Sequence, residues 1–100
     1  MVTGSAPISV DVLNFLKVCF CCPILEGYGQ TESSAAATIS LPNDKESGHV
    51  GGPLPCLKMR LADLPEMEYL STDLPYPRGE ICFQGPSVFS GYFKDEAKTN

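Results

Sequence analysis

The sequence predicts an α/β chain in two parts, a β-α-β unit over residues 1–41 and a mostly antiparallel β portion over residues 42–100. Three observations carry this. Apolar residues recur at helical spacing from Val12 to Phe20, between two short apolar segments. Leu57, Met59 and Leu61 alternate with Lys58, Arg60 and Ala62, and a further strand segment follows at residues 80–84. Between the two parts lies Pro42-Asn43-Asp44-Lys45-Glu46-Ser47-Gly48, a polar, turn-rich connection.

Val2-Thr3-Gly4-Ser5-Ala6-Pro7 reads as a strand end running into a loop whose small residues let a flat ligand approach the backbone. Ser9 is placed to cap the next helix, with Asp11 in its first turn, where the helix dipole favours negative charge. Val12, Leu13, Phe15, Leu16, Cys19 and Phe20 form the apolar face, leaving Asp11, Asn14 and Lys17 on the wetter side. Pro23 stops the helix, and Ile24-Leu25 is a short strand entering a glycine turn. A small-residue helix is predicted from Thr31 to Ala37. Two strands flanking a helix pair in parallel, which sets both glycine loops at strand carboxyl ends, the edge where open α/β sheets bind ligands. Leu57, Met59 and Leu61 then alternate with Lys58, Arg60 and Ala62 as a strand wet on one face. Residues 63–79 form an irregular proline-bearing excursion, and Glu80-Ile81-Cys82-Phe83-Gln84 is a further strand. Gly79, Gly85, Pro86 and Gly91 read as turn residues of the β part.

The apolar fraction of 43% supplies a core, and the net charge of −5 has no basic stripe, which argues against nucleic acid as a partner. No apolar run approaches the length of a membrane span. Cys19, Cys21, Cys22, Cys56 and Cys82 are an odd set without a second close pair, so buried free thiols in a reducing compartment are expected. His49, the one histidine, has no partner at ligand spacing and reads as a loop residue.

Leu25-Glu26-Gly27-Tyr28-Gly29-Gln30-Thr31-Glu32 sets two glycines, an aromatic, a hydroxyl and a carboxylate in one short turn. Each type suits a nucleotide phosphate held with a metal ion. Gly27 and Gly29 permit close backbone approach. Thr31 offers a donor to a phosphate oxygen, and Glu32 a hard oxygen to magnesium. Tyr28 offers a flat face to a base. The structural alternative is a strand–turn–helix corner with Thr31 as N-cap and Glu32 in the first turn. Other chemistries lack their motifs. The third glycine of a dinucleotide fingerprint is replaced by Glu32, and there is neither a Walker sequence nor a G-x-S-x-G elbow.

Three ordered segments resemble the AMP-forming acyl-CoA synthetases of the adenylate-forming (ANL) superfamily. They are Thr3-Gly4-Ser5-Ala6-Pro7-Ile8-Ser9, Glu26-Gly27-Tyr28-Gly29-Gln30-Thr31-Glu32, and Arg78-Gly79-Glu80-Ile81-Cys82-Phe83-Gln84-Gly85-Pro86 with Gly91-Tyr92. The Tyr-Gly-Gln-Thr-Glu form, Gly48-His49-Val50-Gly51-Gly52-Pro53-Leu54-Pro55-Cys56 and Phe89-Ser90-Gly91-Tyr92-Phe93-Lys94-Asp95 are similar to the long-chain fatty acid branch. The resemblance covers essentially the whole chain.

By that resemblance, Gly4, Ser5, Ala6 and Pro7 line the adenine side of an adenylate pocket, which Glu26, Gly27, Tyr28 and Gly29 complete. Thr31 and Glu32 are the catalytic pair, Thr31 on the α-phosphate and Glu32 on Mg2+. Gly51, Gly52 and Pro53 border an acyl channel. The substrates implied are ATP, coenzyme A and a long-chain fatty acid. The resemblance also implies a phosphate loop before Met1, and after Asn100 a ribose-binding aspartate and a domain bearing a catalytic lysine. The chain is therefore expected to be an internal fragment of an N-terminal synthetase domain, incompletely buried and inactive alone. The parent is expected to be intracellular, on the cytoplasmic side of the endoplasmic reticulum or another membrane. Two alternatives stay open: another acid–CoA ligase of the same chemistry, and a non-catalytic nucleotide- or lipid-binding remnant.

Overall fold

The computed structural model describes residues 1–99. In chain order the elements are β1 (Val2–Thr3), α1 (Val10–Phe20), β2 (Leu25–Tyr28), β3 (Thr38–Ile39), β4 (Gly52–Pro53), β5 (Lys58–Ala62), β6 (Glu80–Gln84) and α2 (Glu96–Thr99). Short 3₁₀ turns occupy Thr31–Ser33 and Pro65–Met67. The first four strands form one sheet in the order β1-β2-β3-β4, and β5 pairs with β6 in a second.

The predicted β-α-β unit is present. β1 runs parallel to β2 with Val2 opposite Leu25 and Thr3 opposite Glu26. α1 starts where its signals place it: the Ser9 hydroxyl accepts from the Val12 N–H at 3.3 Å, and Asp11 lies in the first turn. It ends at Cys21 in the left-handed region (φ 49°), whose N–H donates to the Val18 carbonyl at 3.2 Å, just before Pro23.

Several expectations are corrected. The strand entering the glycine segment is Leu25–Tyr28, so Glu26, Gly27 and Tyr28 lie in the sheet and the turn begins only at Gly29. The reason is a second partner: Gly27 and Tyr28 pair antiparallel with Ile39 and Thr38. The helix expected from Thr31 to Ala37 is only the 3₁₀ turn, because the chain must double back to supply β3. Ser34 (φ 56°) and Ala35 (φ 91°) make that reversal, and the Ala37 N–H then donates to the Tyr28 carbonyl at 2.8 Å. Its N-cap is Gln30, not Thr31, with Ser33 Oγ accepting from the Gln30 N–H at 3.2 Å.

The core is small and includes Leu13, Ile24, Ala37 and Leu57. Of the apolar face expected on α1, only Leu13 is buried; Phe15 is 66% exposed, and Val12 and Phe20 are also open. The face expected to be wet is instead partly engaged: Lys17 Nζ donates to Ser47 Oγ, which donates to Asn14 Oδ1, both at 2.9 Å. That chain of bonds draws the polar side of α1 under the loop that follows β3. The thiols are not buried either: Cys19, Cys21 and Cys56 are exposed and Cys22 and Cys82 half-buried. β6 matches its predicted range, while β5 begins at Lys58, one residue late, with Met59 of its expected dry face exposed; the two pair from Lys58 opposite Gln84 to Ala62 opposite Glu80.

Candidate functional site

The parallel register of β1 and β2 brings the chain's first two loops to one sheet edge, where a cavity of about 350 Å³ opens. Its walls include Gly4, Ser5, Ala6 and Pro7 from the first loop and Glu26, Gly27, Tyr28 and Gly29 from β2 and its end. All eight residues expected on the adenylate side are therefore gathered in one place. The volume lies in the roughly 300–1,000 Å³ range of small-molecule clefts.

The glycines act here through the protein's own crowding. A Cβ on Gly4 would sit 2.9 Å from the Gly27 carbonyl oxygen, so the first loop can pass β2 only without a side chain. A Cβ on Gly29 would overlap the backbone of Ala35 and Ala36, where the chain reverses. Tyr28 is half-buried, its ring 6.1 Å from that of Phe83 on β6 at an interplanar angle of 36°. The hairpin thus supports one side of the aromatic surface.

A third wall, Gly48-His49-Val50, escaped the sequence reading as a pocket component. Its anchor is Glu26, whose Oε2 accepts from the Gly48 N–H at 3.2 Å while its own N–H donates to Ser40 Oγ at 2.9 Å. Glu26 thereby both lines the cavity and ties down the loop facing it. The Gly51 N–H donates to His49 Nδ1 at 3.1 Å, and His49 Nε2 lies 3.1 Å from Asp44 Oδ2. An accepting Nδ1 puts the ring proton on Nε2, directed at the carboxylate. The available signal was the resemblance itself, since Gly48-His49-Val50 belongs to one of its segments.

Thr31 and Glu32 do not line this cavity; they sit one turn beyond Gly29, in the 3₁₀ segment. Thr31 is exposed, and its hydroxyl has no hydrogen-bond partner among the described residues. Glu32 is half-buried, and its Oε1 accepts from the Tyr92 hydroxyl. Among the described residues no group of three or more His, Cys, Asp or Glu is placed to hold a metal ion unaided. A magnesium ion at Glu32 fits this donor set, since magnesium is commonly held by one or two carboxylates together with substrate phosphates. Gly51, Gly52 and Pro53 also lie outside the cavity. Gly52 and Pro53 form β4, at the sheet edge beside β3, and Gly51 precedes them with φ +74° against the Ile39 carbonyl.

Two carboxyls titrate below the usual range, and neither borders the cavity. The Ser71 N–H holds Asp63 down. The Leu70 N–H, and after it Arg78, hold Asp73 down, opposed by desolvation. Both belong to the 63–79 excursion and fasten it internally.

Comparison with known proteins matches residues 1–93 to the family described as AMP-binding enzyme. The chain is 50% identical over 99 residues to fatty acyl-CoA synthetase A of Dictyostelium discoideum, covering 99% of this chain and 15% of that protein. It is 52% identical to long chain acyl-CoA synthetase 7, peroxisomal, of Arabidopsis thaliana and 48% identical to human long-chain-fatty-acid–CoA ligase 1, each over 99 residues, 99% of this chain and 14% of the relative. The chain thus spans about a seventh of the length of these relatives. Among solved structures, the A domain of carboxylic acid reductase from Segniliparus rugosus, in complex with AMP and a co-purified carboxylic acid, matches with a TM-score of 0.75 at 31% identity. That match covers 98% of this chain and 14% of the other. Apo MatB from Rhodopseudomonas palustris matches with a TM-score of 0.74 at 33% identity, over 99% of this chain and 19% of the other.

Proposed function

This chain belongs to the AMP-binding enzyme family, and from that premise we propose that it is the adenylate-binding segment of a long-chain fatty acid–CoA ligase. The observation that carries the reading is the single cavity in which Gly4–Pro7 and Glu26–Gly29 meet. Identity near 50% to long-chain acyl-CoA synthetases over 99 residues supports the acyl class.

The ligase activates a fatty acid in two transfers. The acid's carboxylate oxygen attacks the α-phosphorus of ATP, and pyrophosphate leaves with the electron pair of the broken P–O bond. Coenzyme A sulfur then attacks the acyl carbonyl of the adenylate, and AMP leaves. This chain's own residues supply the nucleotide side. Tyr28, backed by Phe83, offers its ring to the adenine. Gly4 and Gly27 pack backbone against backbone and keep that wall thin. Thr31, one turn on, donates its free hydroxyl to an α-phosphate oxygen. Glu32 supplies the carboxylate that would hold Mg2+. When bound, magnesium supplies charge neutralisation at the phosphates. Gly51, Gly52 and Pro53 border the acyl chain, where the open space over Gly52 leaves room for methylenes.

The test is acid-dependent pyrophosphate release by the full-length enzyme carrying this chain, with palmitate set against butyrate and benzoate. Release with palmitate at least tenfold above either competitor is the expected result. A preference for butyrate or benzoate would assign the chain to another acid–CoA ligase. No release with any acid, alongside retained ATP binding, would identify a non-catalytic nucleotide-binding protein.

A further inference from the structure

Glu32 is held from a part of the chain some sixty residues away, by bonds from the segment after β6. The Phe89 N–H donates to the Glu32 carbonyl at 3.0 Å, and the Ser34 hydroxyl donates to the Ser87 carbonyl at 2.7 Å. These two bonds lay residues 87–89 alongside the 3₁₀ turn. The Tyr92 hydroxyl then reaches the Glu32 carboxylate at Oε1, leaving Oε2 without a hydrogen-bond partner among the described residues.

Tyr92 is itself fixed. Its ring meets that of Phe89 edge-on, with centroids 4.9 Å apart and planes at 86°. Its N–H donates to Thr99 Oγ1 at 3.0 Å, and that hydroxyl donates to the Asp95 carbonyl at 2.8 Å. A free glutamate samples many rotamers around three torsions, whereas one held by a charge-assisted O–H···O⁻ bond does not.

We propose that Tyr92 is the positioning residue for Glu32, orienting its carboxylate so that the second oxygen is presented to a divalent cation. The proposal rests on the reading of Glu32 as the metal-binding carboxylate. Partners that orient a metal-binding carboxylate weaken metal affinity by roughly 10–100-fold when removed. Tyr92 neither touches the adenylate cavity nor reacts; it acts through Glu32 alone.

The test uses the full-length enzyme carrying this chain, loaded with a non-hydrolysable ATP analogue and titrated with Mn2+ by electron paramagnetic resonance. Tyr92→Phe keeps the edge-on contact with Phe89 and removes only the hydroxyl. It is expected to weaken Mn2+ binding roughly 10-fold, and to raise the half-saturating Mg2+ for pyrophosphate release in step, with the KM for fatty acid unchanged. Glu32→Gln is expected to weaken Mn2+ binding further, and Tyr92→Phe added to Glu32→Gln should cause no additional loss. Unchanged Mn2+ affinity in Tyr92→Phe, with a loss in Glu32→Gln, would overturn the role of Tyr92 and leave the metal reading standing. Unchanged affinity in both variants would overturn the metal reading and the proposal with it. An equal further loss from Tyr92→Phe in the Glu32→Gln background would also overturn it, since Tyr92 would then act by another route.

Discussion

The four-stranded sheet is assembled from strands of two to four residues, whereas β5 and β6 pair over five residues each in unbroken register. The short strands spend little chain on pairing and much on the connections that wall the cavity. The hairpin lines none of that cavity, yet Phe83 on β6 packs beside Tyr28, and Tyr92 beyond it bonds Glu32. The contrast separates two tasks. The irregular region walls the cavity, and β6 with the segment after it packs behind that region.

The sharpest way to break that division is at Gly29, where a side chain would drive into the backbone of Ala35 and Ala36. Gly29→Ala in the full-length enzyme is expected to abolish adenylation and to lower the melting temperature, overpacking alone costing about 1–3 kcal/mol. Gly52→Ala is the matched control for stability alone, since nothing lies within 4 Å of the added carbon. It should stay within about 0.5 kcal/mol of the parent. A fully active, equally stable Gly29→Ala variant would mean that the turn can reverse another way.

Next in size come Thr31 and Tyr28, which should fail differently. Thr31→Val removes one donor, worth about 1.5–3 kcal/mol toward a charged oxygen, and kcat should fall about 10–100-fold. Because the N-cap of this turn is Gln30, that loss is not entangled with a capping loss. On the proposed reading Tyr28→Ala removes a surface offered to the base in ground and transition states alike, so the KM for ATP should rise with a smaller change in kcat. ATP-dependent kinetics on both variants decide the matter. The opposite pattern would exchange the base and phosphate sides of the segment.

A smaller effect tests the hairpin as a brace. Phe83→Ala leaves the cavity wall intact but withdraws an aromatic pair worth about 0.5–1.5 kcal/mol. The KM for ATP should rise two- to tenfold, less than for Tyr28→Ala, by roughly the same energy at 1.4 kcal/mol per decade. An unchanged KM would show that Tyr28 needs no support from β6.

The smallest effect is one of pH and is confined to the excursion between β5 and β6. The folded chain lowers the pKa of Asp63 and Asp73, so their bonds stabilise the excursion above the ordinary carboxylate pKa. That contribution disappears as pH falls from about 4 through the lowered folded values. Amide exchange at Leu70 and Ser71, compared with intrinsic rates, should lose protection in that window. Asp63→Asn and Asp73→Asn should remove the pH dependence.

Much of this was legible in the residues. Ser9, Asp11 and the apolar spacing of α1 mark one helix, and the alternation from Leu57 to Leu61 marks one strand, because both signals are local. The cavity's two first walls followed from parallel pairing, a rule of topology. The missing features are all non-local. Nothing within residues 31–37 reveals that β3 must return against Tyr28, so a helix was expected there. Burial of the α1 stripe was overestimated for the same reason: periodicity identifies a face but not whether anything covers it. The bond from Tyr92 to Glu32 spans sixty positions and left no pattern in either segment.

The 63–79 excursion closes on itself: Ala62 and Glu80 are paired at its base, Arg78 Nε donates to Asp73 at 2.9 Å, and Leu64 bridges Tyr69. Leu74 and Tyr76 at its far end are 92% and 79% exposed. Exposed loop tips with anchored bases are where chains accept inserted sequence. A short peptide tag spliced in at Tyr76 would therefore ride outside the hairpin's ladder. Such a label gives a handle for following the chain while Phe83, beside Tyr28, and Tyr92, beside Glu32, are left as they are.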